Sequence, residues 1–306
     1  MTRKILQRIA YTLPAVWLII TTVFLLIHIV PGDPVVQMLG ENARAEDLTQ
    51  LRHALGLDAP LGTQYLRYLS GLFRGNWGIS FHFQSSVFTV VFQHFPATLE
   101  LSLAGLFVCL VIAIPAGVYS AARQGSAADH ATSVFTLLGL SLPNFALGPL
   151  LILAFSIELG WLPVSGRGGL ARLVLPAVTL GAALAAILTR MVRASMIEEL
   201  SSDYVRTARA KGLSERRVLF RHALPNAMIP IITIIGLQFG ALLAGTIVTE
   251  TIFSWPGIGR LAVQAITERD YPLLQGCILV IALSCVLVNL LTDLIYAVID
   301  PRVRVE

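Results

Sequence analysis

Residues 101–122 read LSLAGLFVCLVIAIPAGVYSAA, a run of 22 residues without a single Asp, Glu, Lys or Arg. A transmembrane helix needs about 20 predominantly apolar residues to cross ~30 Å of hydrocarbon. Five further runs share this freedom from charge, at residues 9–30, 131–157, 173–189, 227–249 and 273–292. A buried helix of a soluble protein could explain one such run, but six in one chain predict an all-α membrane protein with six transmembrane helices.

The composition of the whole chain agrees with this prediction. Its 306 residues are 56% hydrophobic and only 13% charged, with a mean hydropathy of +0.76. Soluble domains carry about 25% charged residues, so a soluble enzyme, a coiled coil and a disordered chain are all disfavoured. The net charge of +4 is too small to indicate nucleic-acid binding. The three cysteines lie in apolar runs, which predicts free, buried thiols rather than metal ligands.

The runs divide the chain into predicted segments. The first run, with 22 residues, exceeds the 7–15 residues of a signal peptide's apolar region, so we expect an uncleaved helix. Short interfacial helices are predicted at 47–54 and 61–73, and Pro143-Asn144 together with the nearby Gly148-Pro149 predict a break in the third helix. The predicted segments are a cytoplasmic N-terminus at 1–8, helix 1 at 9–30, an outside loop at 31–96, a five-helix core at 97–299 (helices near 101–122, 131–157, 173–193, 227–249 and 273–298), a cytoplasmic loop at 194–226 and a cytoplasmic tail at 300–306.

The distribution of Arg and Lys predicts the orientation, because basic residues in short loops stay on the cytoplasmic side. With the N-terminus inside, fourteen basic residues are cytoplasmic: Arg3, Lys4, Arg8, Arg123, Arg190, Arg193, Arg206, Arg209, Lys211, Arg216, Arg217, Arg221, Arg302 and Arg304. The short outside loops hold four: Arg167, Arg172, Arg260 and Arg269. Both termini are therefore predicted to be cytoplasmic.

Motifs that would power or catalyse a reaction are missing from the sequence. No G-x-x-x-x-G-K-[ST] loop for nucleotide phosphates, no H-E-x-x-H zinc motif and no G-x-S-x-G nucleophile elbow occurs. Acidic residues near the runs lie only at their ends, whereas self-powered carriers need ionisable groups inside the membrane. The sequence therefore favours a passive pore or a permease powered by other subunits, and it predicts no enzyme activity and no cofactor in this chain.

The cytoplasmic stretch DYVRTARAKGLSERRVLFRHALPN, residues 203–226, is the most informative loop. Residues 203–211 have good helix propensity, and Gly212 is typical of a left-handed helix C-cap. Ser214 is a good N-cap for a second helix, which we expect Pro225 to end. Ala208 and Ala210 are small and would let another surface approach closely. A basic loop that only follows the charge rule seldom carries such helix signals, so we interpret the stretch as a docking element.

This stretch resembles the cytoplasmic EAA loop of ABC importer permeases, whose pattern is E-A-A-x3-G-x9-I-x-L-P. Aligned on Gly212, the three EAA positions are Arg206, Thr207 and Ala208, the Ile position is His222, and Leu224-Pro225 match. The departures at Arg206, Thr207 and His222 fit the dipeptide/oligopeptide/nickel branch of the family, in which Y-x-R-T-A-R-A-K-G is typical. The coupling residues implied by the resemblance are Tyr204, Arg206, Thr207, Ala208, Arg209, Ala210, Lys211, Gly212, Leu224 and Pro225.

Short motifs along nearly the whole chain are also similar to that branch, and residues 155–163 and 200–212 are most similar to glutathione/dipeptide permeases. The motifs are PGDP at 31–34, LGLD at 55–58, PATLE at 96–100, WPGIGR at 255–260 after Phe253, RDYP at 269–272 and DPR at 300–302.

The resemblance implies a type I ABC importer permease in the bacterial inner membrane, translocating peptides or glutathione. The implied partners are a second homologous permease chain, two ATPase subunits that use ATP and Mg²⁺, and an extracytoplasmic substrate-binding protein. The alternatives are a permease for nickel or a metal chelate on the same scaffold, a stand-alone channel or carrier, and a membrane assembly or sensor protein. The sequence does not identify substrate ligands.

Overall fold

The computed structural model describes residues 2–29, 35–36, 43–54 and 56–299, and its regular elements are helices. The described residues of the apolar runs fall in these helices, except for Leu142 and Pro143. We number them α1 (Thr2–Ile29), α2 (Ala45–Ala54), α3 (Leu61–Phe73), α4 (Val87–Ala122), α5 (Ala127–Ser141), α6 (Asn144–Leu151), π1 (Ile152–Glu158), α7 (Leu170–Leu200), α8 (Asp203–Ala210), α9 (Glu215–Arg217), π2 (Val218–Ala223), α10 (Leu224–Ile252), α11 (Ile258–Thr267) and α12 (Tyr271–Ile299).

Among the described residues, four helical segments are long and apolar enough to cross a membrane: α4, α7, the continuous stretch Glu215–Ile252, and Tyr271–Ile295 within α12. Helix α5 and the pair α6–π1 can form a fifth, and α1 holds the shorter apolar stretch Ala10–Leu25. The all-helical membrane architecture is thereby confirmed. The number six and the cytoplasmic position of both termini stay predictions.

The helix predicted over 131–157 is in fact two helices bent by 102°. Leu142 is extended (φ −93°, ψ 108°), as the residue before a proline prefers, and Pro143 then caps α6. The break predicted from Pro143 is therefore present.

Helices α4 and α7 pack closely because glycines lie between them. A Cβ on Gly117 would lie 2.6 Å from the Cβ of Val192, and one on Gly181 would lie 2.5 Å from the carbonyl oxygen of Gly105. Small residues let membrane helices approach in this way, where dispersion contacts drive association. This pair forms the centre of the bundle, against which α5 and α10 pack.

Helix α4 begins at Val87, so the last ten residues of the predicted outside segment 31–96 are helical. Pro96 lies inside α4, where neighbouring helices tolerate a proline. Val87, Val90 and Val91 are buried against α11 and the start of α12, and this burial stabilises the added turns.

Other boundaries agree in part. Helices α2 and α3 match the predicted segments at 47–54 and 61–73. Helix α1 begins at Thr2, within the predicted tail 1–8, and α7 extends beyond 173–193 at both ends. The tail 300–306 and the motifs at 31–34 and 300–302 lie outside the described residues, as does Leu55 of the motif at 55–58.

Thiol labelling tests the predicted orientation. We expect Gly62→Cys in α3 to react with a membrane-impermeant maleimide in intact spheroplasts, and Ala210→Cys in α8 to react only after permeabilisation. Both positions are exposed, and no atom of the described residues lies within 4 Å of a Cβ at Gly62. The unsubstituted chain is the control for the native thiols, of which Cys109 and Cys277 are buried and Cys285 is half-buried. The reverse labelling pattern would invert the topology.

Candidate docking site on the cytoplasmic loop

Helix α8 is a short helix that follows α7 after a turn at Ser201–Ser202 and ends as the sequence predicts. The chain reverses at Gly212, whose φ of +76° lies in the left-handed region. The amide of Gly212 donates a hydrogen bond to the carbonyl of Arg209 at 2.9 Å. No atom of the part of the chain that the structure describes lies within 4 Å of a Cβ at this position, so the backbone conformation is what favours glycine here.

The inward face of α8 is fixed to the bundle. Val205 is fully buried and Ala208 is 6% exposed, and both join a hydrophobic cluster at this end of the molecule. We call this set the inner cluster: Cys109, Ala113, Val118, Ala121, Ala185, Leu188, Val192, Met196, Val205, Ala208, Val218, Ala223, Ala227 and Ile231. The prediction that Ala208 offers a small surface to a partner is therefore wrong, because Ala208 packs within its own chain.

The outward face of α8 holds the other predicted residues. Ala210 is the small residue on this face and lies three positions after Thr207, so the two share one side of the helix. Ion pairs within the loop join Arg206 to Asp203 at 3.5 Å and Arg209 to Glu215 at 2.8 Å, and all four side chains are largely exposed. The exposed predicted residues are Tyr204, Arg206, Thr207, Arg209, Ala210, Lys211 and Gly212.

Tyr204 connects α8 to the helices on either side of it. Its hydroxyl donates a hydrogen bond to the carboxylate of Glu199, at the end of α7, at 2.5 Å, and it lies 3.4 Å from the carbonyl of His222 in π2. Partial burial raises the pKa of the Tyr204 phenol, and the nearby Glu199 carboxylate raises it further. The phenol therefore stays protonated and able to donate at neutral pH.

The second half of the loop differs from the prediction. A helix starts after Ser214, as expected, but Pro225 does not end it; α9, π2 and α10 form one continuous helical segment up to Ile252. Pro225 is exposed in the first turn of α10, beside the half-buried Leu224. The π turn of π2 shifts the hydrogen-bond pattern just before the proline, so its missing N–H leaves the helix intact.

An ion pair that the sequence analysis missed lies at the same end of the bundle. The guanidinium of Arg193 on α7 donates two hydrogen bonds to Asp129 on α5, at 2.7 and 2.8 Å. Asp129 also accepts from the Ser120 hydroxyl at the end of α4 and from the Gly125 amide. Asp129 therefore links α4, α5 and α7 at this end of the bundle. The partners lie 64 residues apart, and no local pattern pairs them.

At the opposite end, two of the short motifs meet. Glu250 is fully buried; its carboxylate accepts hydrogen bonds from the Thr98 hydroxyl at 2.7 Å and from the Arg260 amide at 2.9 Å. Thr98 in turn accepts from the Ile258 amide at 2.8 Å, and a Cβ on Gly257 would lie 2.3 Å from the Glu250 carboxyl carbon. The Glu250 carboxylate therefore joins the segments 96–100 and 255–260. Glu250 and Thr98 together accept hydrogen bonds from two of the first amides of α11, those of Arg260 and Ile258.

Asp270 has a comparable role in the motif at 269–272. It accepts from the Ser80 hydroxyl at 2.5 Å and from the Leu273 amide at 3.2 Å, so it caps α12 and holds the segment before α4. The motifs at 96–100, 255–260 and 269–272 therefore stabilise this end of the bundle through buried hydrogen bonds.

Two family descriptions match the chain. Residues 113–305 match the binding-protein-dependent transport system inner membrane component, and residues 1–103 match the N-terminal part of such a membrane component.

Individual relatives agree over the full length. The glutathione transport system permease protein GsiC of Escherichia coli (strain K12) is 41% identical over 304 residues, covering 99% of each chain. The di/tripeptide transport system permease protein DppB of Pseudomonas aeruginosa is 43% identical over 329 residues, covering 98% of each chain.

A solved structure of the inward-facing methionine ABC transporter MetNI has a similar fold. Its TM-score is 0.60 at 18% identity, covering 69% of this chain and 96% of that chain. Since the family descriptions together cover nearly all residues and the fold agrees, this chain belongs to the inner-membrane permeases of binding-protein-dependent ABC transport systems.

Proposed function

We propose that this chain is a permease subunit that imports peptides or glutathione, driven by ATPase subunits that dock on α8. One observation carries the proposal: α8, which lies between the long helices α7 and α10 in the chain, has one exposed face and packs into the bundle with the other. The names of the relatives, glutathione and di/tripeptide permeases, support the substrate class. In this proposal the chain catalyses no reaction and binds no cofactor.

The proposed partners follow from this assignment. A binding protein delivers the substrate at the outer face, and a second homologous permease chain completes the pathway. Two ATPase subunits bind ATP and Mg²⁺ and contact the cytoplasmic loops of the two permeases. The docking residues of this chain are those exposed on and around α8, with the start of α10: Tyr204, Arg206, Thr207, Arg209, Ala210, Lys211, Gly212, Leu224 and Pro225. Ala208 instead anchors α8 to the inner cluster.

A displacement of α8 would be transmitted to the bundle through the contacts on its two sides. Ala208 and Val205 pack into the inner cluster, and the hydroxyl of Tyr204 holds Glu199 at the end of α7. On the other side, α9, π2 and α10 form one helical segment. An ATPase that displaces α8 would therefore displace both α7 and α10, and their rearrangement would alternate access to the pathway.

Affinity purification tests the proposed assembly. The tagged chain is extracted from native membranes with a mild detergent, and co-purified proteins are identified by mass spectrometry. We expect a second permease chain and one or two ATPases with phosphate-binding loops. Recovery of this chain alone in several detergents, together with substrate flux from the chain alone in liposomes, would replace the proposal by a stand-alone channel or carrier.

The bend at Gly212 provides a second test. Gly212→Pro should lower uptake by at least about tenfold, because proline cannot adopt a φ of +76° and loses the amide that bonds Arg209. Gly212→Asn should keep uptake near that of the unsubstituted chain, because asparagine tolerates the left-handed region and a side chain has room here. Uptake and ATP hydrolysis are measured in proteoliposomes that contain the whole importer. Equal uptake by both variants would contradict a role for this bend.

A further inference from the structure

A cavity opens on the predicted outer face, between the first turns of α4 and helix α11. Its volume is about 270 Å³, and its walls include Phe83, His94, Arg260, Leu261 and Gln264. This is large enough for several water molecules. It can hold a carboxylate together with one or two small amino-acid residues.

Arg260 gives the cavity a positive charge. Its side chain donates one hydrogen bond to the carbonyl of Ser254 at 2.8 Å, which fixes the guanidinium at the start of α11. Among the described residues no carboxylate lies within salt-bridge distance of it. The guanidinium keeps further N–H donors, in a geometry that suits a carboxylate.

His94 adds a second polar group to the wall. Its Nδ1 lies 2.8 Å from the carbonyl of Val90, and because a carbonyl only accepts, Nδ1 is the protonated nitrogen. The other ring nitrogen, Nε2, has no protein partner in the part of the chain that the structure describes.

Acidic groups near the cavity are already engaged. Glu268 accepts a hydrogen bond from Gln264 at 3.0 Å and lies 3.0 Å from His82. Glu250 lies behind Gly257, with its oxygens bonded to the Thr98 hydroxyl and the Arg260 amide. The rest of the wall is Phe83, Pro256, Gly257 and Leu261, so apolar surface lies beside the exposed Arg260 side chain.

We propose that this cavity is a subsite for a carboxylate group of the transported peptide, held by Arg260 with His94 beside it. The proposal rests on the proposed function, because it takes the substrate to be a peptide or a peptide-like acid. The apolar walls would accept the side chain next to the carboxylate in almost any peptide. Every free peptide has such a carboxylate. The cavity would therefore favour free peptides over blocked ones without reading their sequence.

Uptake by the complete importer in proteoliposomes tests this proposal, with dialanine and dialanine amide as the probes. Arg260→Gln should raise the KM for dialanine about tenfold or more, which is the usual loss for a hydrogen bond to a charged group. The KM for the amide and both values of kcat should stay unchanged. Each variant is compared with the unsubstituted chain on the same peptide, so that any preference of the binding protein cancels.

A second measurement needs no binding protein. With Gln264→Cys, dialanine should slow maleimide labelling of the introduced thiol, dialanine amide should not, and adding Arg260→Gln should abolish the protection. Arg74→Gln is the control in uptake, because it removes an exposed arginine from another segment of the predicted outer face, and Arg74 is not part of the cavity wall.

The outcomes separate the proposals. Equal KM changes for both peptides, or equal protection by both, would overturn the carboxylate subsite. If Arg260→Gln raises the concentration of binding protein that uptake requires, and does so equally for both peptides, Arg260 docks the binding protein. That result would overturn the carboxylate subsite. If the unsubstituted importer takes up neither peptide and neither protects the thiol, the proposed function fails together with the subsite.

Discussion

Ala210→Glu should lower substrate uptake by at least about tenfold while the protein keeps its normal amount in the membrane, which corresponds to a loss of about 1.4 kcal/mol at the docking contact. Ala210 is exposed at the end of α8, so a longer side chain there meets no residue of its own chain. The added bulk and charge would instead obstruct the approach of an ATPase subunit. A single well-placed residue at an interface can contribute 2 kcal/mol or more.

Ala208→Glu, two residues earlier on the same helix, should fail for a different reason. Ala208 is 6% exposed within the inner cluster, so the new carboxylate would be forced among apolar side chains. Overpacking a core costs about 1–3 kcal/mol, and an unpaired buried charge adds several more. We therefore expect a lower melting temperature and less protein in the membrane.

The comparison is measured on uptake, ATP hydrolysis and protein amount in parallel. Ala210→Ser is the matched control, because it changes the same position with almost no added volume and should retain uptake. Normal uptake by Ala210→Glu would remove α8 from the docking surface. Equal losses of protein for both glutamate variants would show that the exposed face of α8 supports the fold rather than a partner.

Much of the fold could be predicted because hydropathy and helix-cap signals are local. The apolar runs locate the long helices, and Gly212 marks the end of α8 because only the left-handed region lets the chain reverse there. The break at Pro143 follows from the restriction that proline places on the residue before it. These signals lie within a few residues of the feature that they predict.

The remaining features depend on contacts between distant segments. Helix α4 reaches back to Val87 because its first turns pack on α11, about 170 residues later in the chain. Ala208 and Ala210 have the same side chain, and only the packing of the inner cluster distinguishes the buried one from the exposed one. The partnership of Asp129 with Arg193 joins α5 to α7 in the same way. Hydrophobic periodicity and helix-cap signals in the sequence do not predict such contacts.

Glu250→Ala should destabilise the end of the bundle that holds α11. The substitution leaves the Thr98 hydroxyl and the Arg260 amide without their acceptor, and both partners are held in a buried site. Each buried unsatisfied group costs about 1–3 kcal/mol, so two cost about 2–6 kcal/mol, which is a large share of a marginal stability. We expect a lower melting temperature and a sharp loss of protein in the membrane.

Glu250→Gln should have an intermediate effect, because its carbonyl oxygen can still accept from the Arg260 amide while its NH₂ donates to Thr98. The Thr98 hydroxyl also accepts from the Ile258 amide, so it would then need a new acceptor for its own proton. Glu158→Ala is the control, since Glu158 is exposed at the end of π1 and its removal should change stability by less than about 0.5 kcal/mol. Stability is followed by thermal unfolding of the purified protein in detergent. If the alanine and glutamine variants both unfold at the temperature of the Glu158 control, the carboxylate does not hold the two outer motifs together; a graded decrease from control to glutamine to alanine supports that role.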